Sequence, residues 1–141
     1  MKNEELNCIL GVRKNKELDN FAIDRLVRKG FSVSVINKLK KRFAVSNEEI
    51  AKMACIDVRA LRYYLAAEIN LSLVASDRIF RLIDILCLAS QTFANREAAI
   101  WWMREPHISL GGQKPIDLIE TEAGGNKVRD ILTAIIYGYP A

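Results

Sequence analysis

Apolar residues recur every third or fourth position along most of this chain, and nowhere alternate with polar ones for long enough to make a strand. That period predicts helices in a definite order. A short one covers Phe21, Ile23, Leu26 and Val27 and ends at Gly30, a residue suited to a C-terminal cap. Ser32 or Ser34 opens the next, which runs through Phe43 with Val35, Ile36, Leu39 and Phe43 as its buried stripe. Before Phe21 the period is weak and charges are dense, so residues 1–20 read either as a loosely held arm or as a short helix around Leu6, Ile9 and Leu10.

The most informative stretch is Asn47–Ala66. Ser46 and Glu49 have the spacing of a capping box, and Ile50, Ala51 and Ala54 follow at helical spacing. That helix must stop near Cys55-Ile56. Asp57 then caps a second, with Val58, Leu61 and Tyr64 on one face and Arg59, Arg62 and Tyr63 on the other. Two helices crossing steeply need a small residue where their backbones meet, and Ala51 occupies that place. This is the pattern of a helix-turn-helix, whose second helix enters the DNA major groove. Its bend ordinarily holds glycine, because the chain turns to positive φ there; here it holds Cys55, at a cost of about 1–2 kcal/mol. A helical hairpin that merely packs is the competing reading.

Beyond a polar link at Glu68–Val74, Ser76 is expected to cap a long helix to about Phe93, with Ile79, Leu82, Ile83, Leu86, Ala89 and Phe93 inward. Asn95 caps Arg96–Arg104, which Pro106 stops. Trp101 and Trp102 point about 100° apart on such a helix, so one suits the core while the other is left for a surface or an interface. Pro115 fits the first turn of a short helix, Pro115–Thr121. Gly124-Gly125 is expected to break it, and Asn126 to cap a last helix, Lys127–Tyr137, with Val128, Ile131, Leu132, Ile135 and Ile136 buried. Gly138 ends that helix and Tyr139-Pro140-Ala141 is a tail. The fold class is all-α.

Composition narrows the functional classes. Half of the 141 residues are apolar, so disorder is not expected, and no apolar run is long enough to span a membrane. The charged N-terminus does not resemble a signal peptide, and a cytoplasmic protein is expected. Cys8, Cys55 and Cys87 are isolated and odd in number, which excludes a disulfide framework and a zinc cluster; they are expected as reduced core residues. The net charge is +4, unevenly placed. From Asp24 to Arg62 there are ten Lys/Arg against four acids, but from Glu105 onward three against five. The basic excess overlaps the helix-turn-helix, where phosphate would be met. Lys38, Lys40, Lys41 and Arg42 share one helix and read equally as a solvated face or a phosphate-facing one. The acidic rear half implies a second partner.

Catalysis finds no support. His107 is the single histidine and stands beside a proline; no nucleophile–base set can be built around it. LGGQKP lacks the Lys-Ser/Thr step of a phosphate loop, and Glu48-Glu49 suits a helix dipole. No catalytic residue, metal or cofactor is assigned.

The order of signals resembles a family. A Lys-Gly-Phe step precedes the basic helix, the helix-turn-helix follows, and SDRIFRL opens the long helix. Then come a Trp-containing helix ending in Glu-Pro, LGGQKPIDLIETEAGG, a Val-x-x-x-Leu helix and a YG close. This resembles antitoxins of the Xre/MbcA/ParS type over about Arg28 to Gly138, most specifically in Leu110–Gly125 with Tyr137-Gly138. One departure is Arg59-Ala60-Leu61, where such antitoxins often have Arg-Thr-Leu. After the N-terminal arm read from its charges (1–20), the resemblance implies an Xre-like DNA-binding region (21–75) and a helical toxin-binding domain (76–141). It implies an antitoxin that covers the active-site cleft of a RES-domain toxin, one that degrades NAD or transfers ADP-ribose, and that represses its own operon as a homodimer on operator DNA. The candidate DNA-facing residues are Ser46, Lys52, Asp57, Val58, Arg59, Arg62 and Tyr63. The candidate toxin-facing residues are Trp101, Trp102, Lys127, Asp130, Ile131, Tyr137, Gly138 and Tyr139. The alternative is a plain helix-turn-helix regulator with a dimerisation or sensing rear domain.

Overall fold

The computed structural model describes residues 3–138. Among them the fold is all-α: α1 (Glu4–Leu10), α2 (Asn20–Lys29), α3 (Val33–Phe43), α4 (Asn47–Ala54), α5 (Val58–Ala66), α6 (Leu73–Phe93), α7 (Arg96–Arg104), α8 (Pro115–Leu118) and α9 (Glu122–Tyr137). A single 3-10 turn, Ile108–Leu110, stands between α7 and α8. The chain forms two compact units, Met1–Ile83 and Asp84–Ala141, and the division falls inside α6.

In the first unit the expected stripes are inward: Val35, Ile36, Leu39 and Phe43 of α3, Ile50, Ala51 and Ala54 of α4, and Leu61 of α5 are all buried. Residues 4–10 take the helical alternative. Asn3 caps α1, and Leu6, Ile9 and Leu10 are buried as α1 packs on α3. The clasp is also polar. Arg42 of α3 binds Glu5 through Nε and Nη2 at 3.1 and 2.7 Å, and Lys38 Nζ donates to the Cys8 carbonyl at 3.2 Å. Asn7, wholly buried, donates Nδ2–H to the carbonyls of Arg13, Lys14 and Lys16 (3.1, 3.1 and 2.6 Å), which folds the following loop back onto α1.

The start of α6 differs from expectation. The helix begins at Leu73, and the Ser72 hydroxyl accepts from the Ala75 amide at 3.1 Å. Ser76 lies inside the helix, where its buried hydroxyl accepts from the Phe31 amide at 2.8 Å and satisfies a donor 45 residues away in sequence.

The second unit buries Ile85, Leu86, Cys87 and Ala89 of α6, Ala99, Trp102 and Met103 of α7, then Leu110, Ile119, Val128, Ile131 and Leu132. The Gly124-Gly125 step also differs from expectation. Helix α8 stops at Leu118, the Thr121 hydroxyl accepts from the Gly124 amide at 3.0 Å, and α9 runs through both glycines. A Cβ on Gly124 would lie 1.9 Å from the Leu118 carbonyl oxygen, so glycine is there to let α9 approach the end of α8, not to break a helix. Ile135 and Ile136, expected inside, are 39% and 43% exposed. The cysteines also divide: Cys87 is buried, Cys8 half-buried and Cys55 exposed.

Candidate functional site

Two surfaces bear the candidate residues, one in each unit. On the first, α4 and α5 meet around the bend Cys55–Asp57. Cys55 adopts φ 58° with its amide donating to Lys52, and the Ile56 amide donates to Ala51. The turn therefore has the left-handed geometry expected of it even without glycine. Ser46 and Glu49 form both halves of the capping box at 3.1 Å. Asp57 Oδ1 accepts from the Arg59 amide at 2.7 Å. Ser46 and Asp57 thus spend their side chains on helix ends.

That leaves the outward face of α5 to Arg59, Arg62 and Tyr63, all exposed, with Val58 half-buried at its start and Lys52 exposed on α4. The Tyr63 ring lies 6.0 Å from Tyr64. Arg62 reaches across to Glu48 of α4 at 2.5 Å, an exposed pair that ties the two helices together on their solvent side. Such a pair contributes little to stability. On α3, Lys38 and Arg42 are drawn toward α1 and Lys40 is half-buried, which leaves Lys41 as the exposed member of that basic run.

On the second unit the two tryptophans separate. Trp102 is 9% exposed, its ring 5.5 Å from Phe93 and stacked at 4.9 Å on His107. Trp101 is 62% exposed. The His107 Nε2–H donates to the Trp102 carbonyl at 2.8 Å, so the single histidine is a structural pin. Ile131 is buried; Lys127, Asp130, Tyr137 and Gly138 are on the surface, and Tyr139 lies outside the described residues. Gly138 ends α9 with φ 71°, its amide donating to Ala134 and Ile135. The last turn of α9 thus presents Ile135, Ile136 and Tyr137 together to solvent. Sequence reasoning placed the two isoleucines inside, because their spacing alone continues the buried stripe. A signal was nonetheless present in the consecutive Ile135-Ile136-Tyr137, since three adjacent residues subtend too wide an arc to share one buried face.

Asp84 and Arg129, which sequence reasoning passed over, join α6 to α9 at 3.5 Å. Burial pushes the Asp84 carboxyl above its ordinary value, a shift only partly offset by the charge and hydrogen bond of Arg129. Arg129 is shared further with Glu122 and Asn126 at 3.4 and 3.0 Å. Among the described residues no group of His, Cys, Asp and Glu is placed to hold a metal ion, and no helix is long and apolar enough to cross a membrane.

Residues 88–138, which hold Trp101, the pinned turn and all of α9, match the family described as the antitoxin Xre/MbcA/ParS C-terminal toxin-binding domain. Over 120 residues the chain is 27% identical to Antitoxin Xre of Pseudomonas putida, covering 85% of this chain and 74% of that protein. It is 29% identical over 113 residues to Antitoxin Xre of Yersinia enterocolitica, 79% of this chain and 76% of that one. Antitoxin Xre of Photorhabdus laumondii is 22% identical over 117 residues, 82% of this chain and 79% of that protein. The chain is similar to antitoxins of the Xre type over most of its length, and its residues 88–138 match the toxin-binding domain of the Xre/MbcA/ParS family. These likenesses support an antitoxin of a toxin–antitoxin pair, with the toxin-binding match lying inside the second unit.

Proposed function

We propose that this antitoxin neutralises a RES-domain toxin by covering its NAD-consuming or ADP-ribosylating active-site cleft, and that as a homodimer it represses its own operon in the cytoplasm. The observation that carries the first half is the exposed Ile135-Ile136-Tyr137 turn of α9, with Trp101 on α7, inside the matched toxin-binding stretch. Exposed Trp and Tyr side chains are the types that most often anchor a protein interface. Lys127 and Asp130 supply polar contacts beside it. Trp102 and Ile131, being buried, belong to the core of that unit. The second unit carries seven Asp/Glu against five Lys/Arg, which suits an entrance lined positively for the phosphates of NAD.

The second half rests on α4 and α5. The first unit carries sixteen Lys/Arg against ten Asp/Glu, and α5 offers Arg59, Arg62 and Tyr63 outward. On this reading α5 is a recognition helix, with Lys52 and the α4 N-terminus beside Ser46 toward phosphate and Val58 toward a base edge. Co-expression with the adjacent gene product tests the first half: growth arrest is expected to be relieved, and persistence of arrest overturns it. Binding to the antitoxin's own promoter fragment, with log affinity falling steeply against log salt, tests the second. A helix-turn-helix that has lost DNA, or a plain regulator with no toxin, would each fail one of these two assays.

A further inference from the structure

The turn between α7 and α8 carries an apolar residue that the fold itself does not use. Ile108 is 97% exposed, more than any other large apolar side chain among the described residues. Isolated surface isoleucines are common and need no explanation. This one differs in how firmly it is held. The loop closes on itself at both feet: the His107 amide donates to Gln113 at 3.2 Å, and the Gly112 amide donates back to His107 at 2.9 Å. Inside that closure the Leu110 and Gly111 amides donate to His107 and Ile108 at 3.0 Å each, and the Gln113 amide donates to Leu110 at 3.2 Å. Gly111 and Gly112 take φ 66° and 80°, values a side chain would resist. Leu110 points inward and is buried, and the His107 ring is clamped between its bond to the Trp102 carbonyl and its stack on Trp102.

The result is a rigid loop with one apolar side chain at its tip. The seven residues His107–Gln113 include no Lys, Arg, Asp or Glu in a chain of which 27% is charged. We infer that Ile108 is a preformed plug that enters a small uncharged pocket on the toxin, an anchor separate from the end of α9. The occupant is the toxin, because the loop lies within the matched toxin-binding stretch, residues 88–138. The inference rests on the antitoxin reading above. Because the loop is ordered before binding, little conformational freedom is lost when it docks, so the burial of one isoleucine is felt almost in full. Because the contact is uncharged, its contribution is insensitive to salt.

The test uses the full antitoxin and the purified product of the adjacent toxin gene, with affinity measured at low and high salt and the thermal midpoint of each free variant recorded. Ile108→Asp is expected to weaken binding about ten- to a hundredfold, and Ile108→Ala about tenfold, the loss in the uncharged alanine variant being equal at both salt concentrations. The free variants are expected to melt as the wild type does, since Ile108 touches no core. Wild-type affinity in both variants overturns the plug, as does a lowered midpoint that accounts for the lost binding. If the wild type binds while Ile108→Asp binds equally well, the plug fails and the antitoxin reading stands. If the wild type itself does not bind, both fall together.

Discussion

At the scale of single residues, three positions carry more than their types suggest. Cys55 sits at φ 58° in the bend between α4 and α5, a conformation glycine adopts without the Cβ clash. Cys55→Gly is expected to raise stability by about 0.5–1 kcal/mol, less than the full αL penalty because glycine also frees the unfolded chain. A higher urea midpoint at unchanged slope is the readout. Gly124 is the reverse case, a helical glycine with a carbonyl oxygen where its Cβ would go. Gly124→Ala, which raises helix propensity, should nevertheless destabilise by about 2–3 kcal/mol, because α8 must move aside. A midpoint at or above wild type would show that the approach of α9 to α8 is not tight. Asn7 turns its amide nitrogen to three carbonyls. Asn7→Asp replaces that donor with an acceptor of the wrong charge, and a loss of about 3 kcal/mol at neutral pH is expected in the same assay.

Between elements, the Asp84–Arg129 pair joins α6 to α9 in the second unit, and its pH dependence has a definite sign. The folded carboxyl titrates above its ordinary 3.8, so the folded state holds its proton longer than the unfolded chain does. Its favourable contribution is therefore complete below 3.8 and is lost as pH rises through the higher folded value. Asp84→Asn removes that titration. The stability of the variant relative to wild type should accordingly improve between acid and neutral pH, and a difference that stays flat in urea titrations across this range would show that burial does not govern the group. Helix ends are simpler. The Ser46–Glu49 capping box was legible from four residues of sequence because a cap is a local affair. The Ser76–Phe31 bond was not, because nothing local tells a helix-capping serine from one that serves an amide 45 residues away. Where two serines stood four apart, the earlier one took the cap.

For the whole molecule, the two surfaces should be separable. Arg59→Ala with Arg62→Ala is expected to weaken promoter binding strongly and to lower the salt slope of what remains by about one for each lost phosphate contact, while leaving toxin neutralisation intact. Trp101→Ala with Tyr137→Ala should do the opposite. Gel-shift and co-expression assays on the same two proteins check both, and a double loss in either variant would argue against two independent surfaces.

Periodicity was enough to establish the all-α class, the order of the main helices, the bend at Cys55 and the fact that Trp101 and Trp102 must part, though not which of them is buried, since each depends on residues within a turn or two of one another. Tertiary structure alone decided the rest. It folded α1 onto α3 through Glu5 and Arg42, kept α9 helical through Gly124-Gly125, and left Ile135 and Ile136 at the surface. A helix stripe states which side chains are apolar, but whether they are covered depends on where other helices end. The fate of His107 and Ile108 was hidden for the same reason. One ring stacks on a tryptophan five residues back, the next side chain faces solvent, and only the closure of the loop at Gln113 sets the two apart.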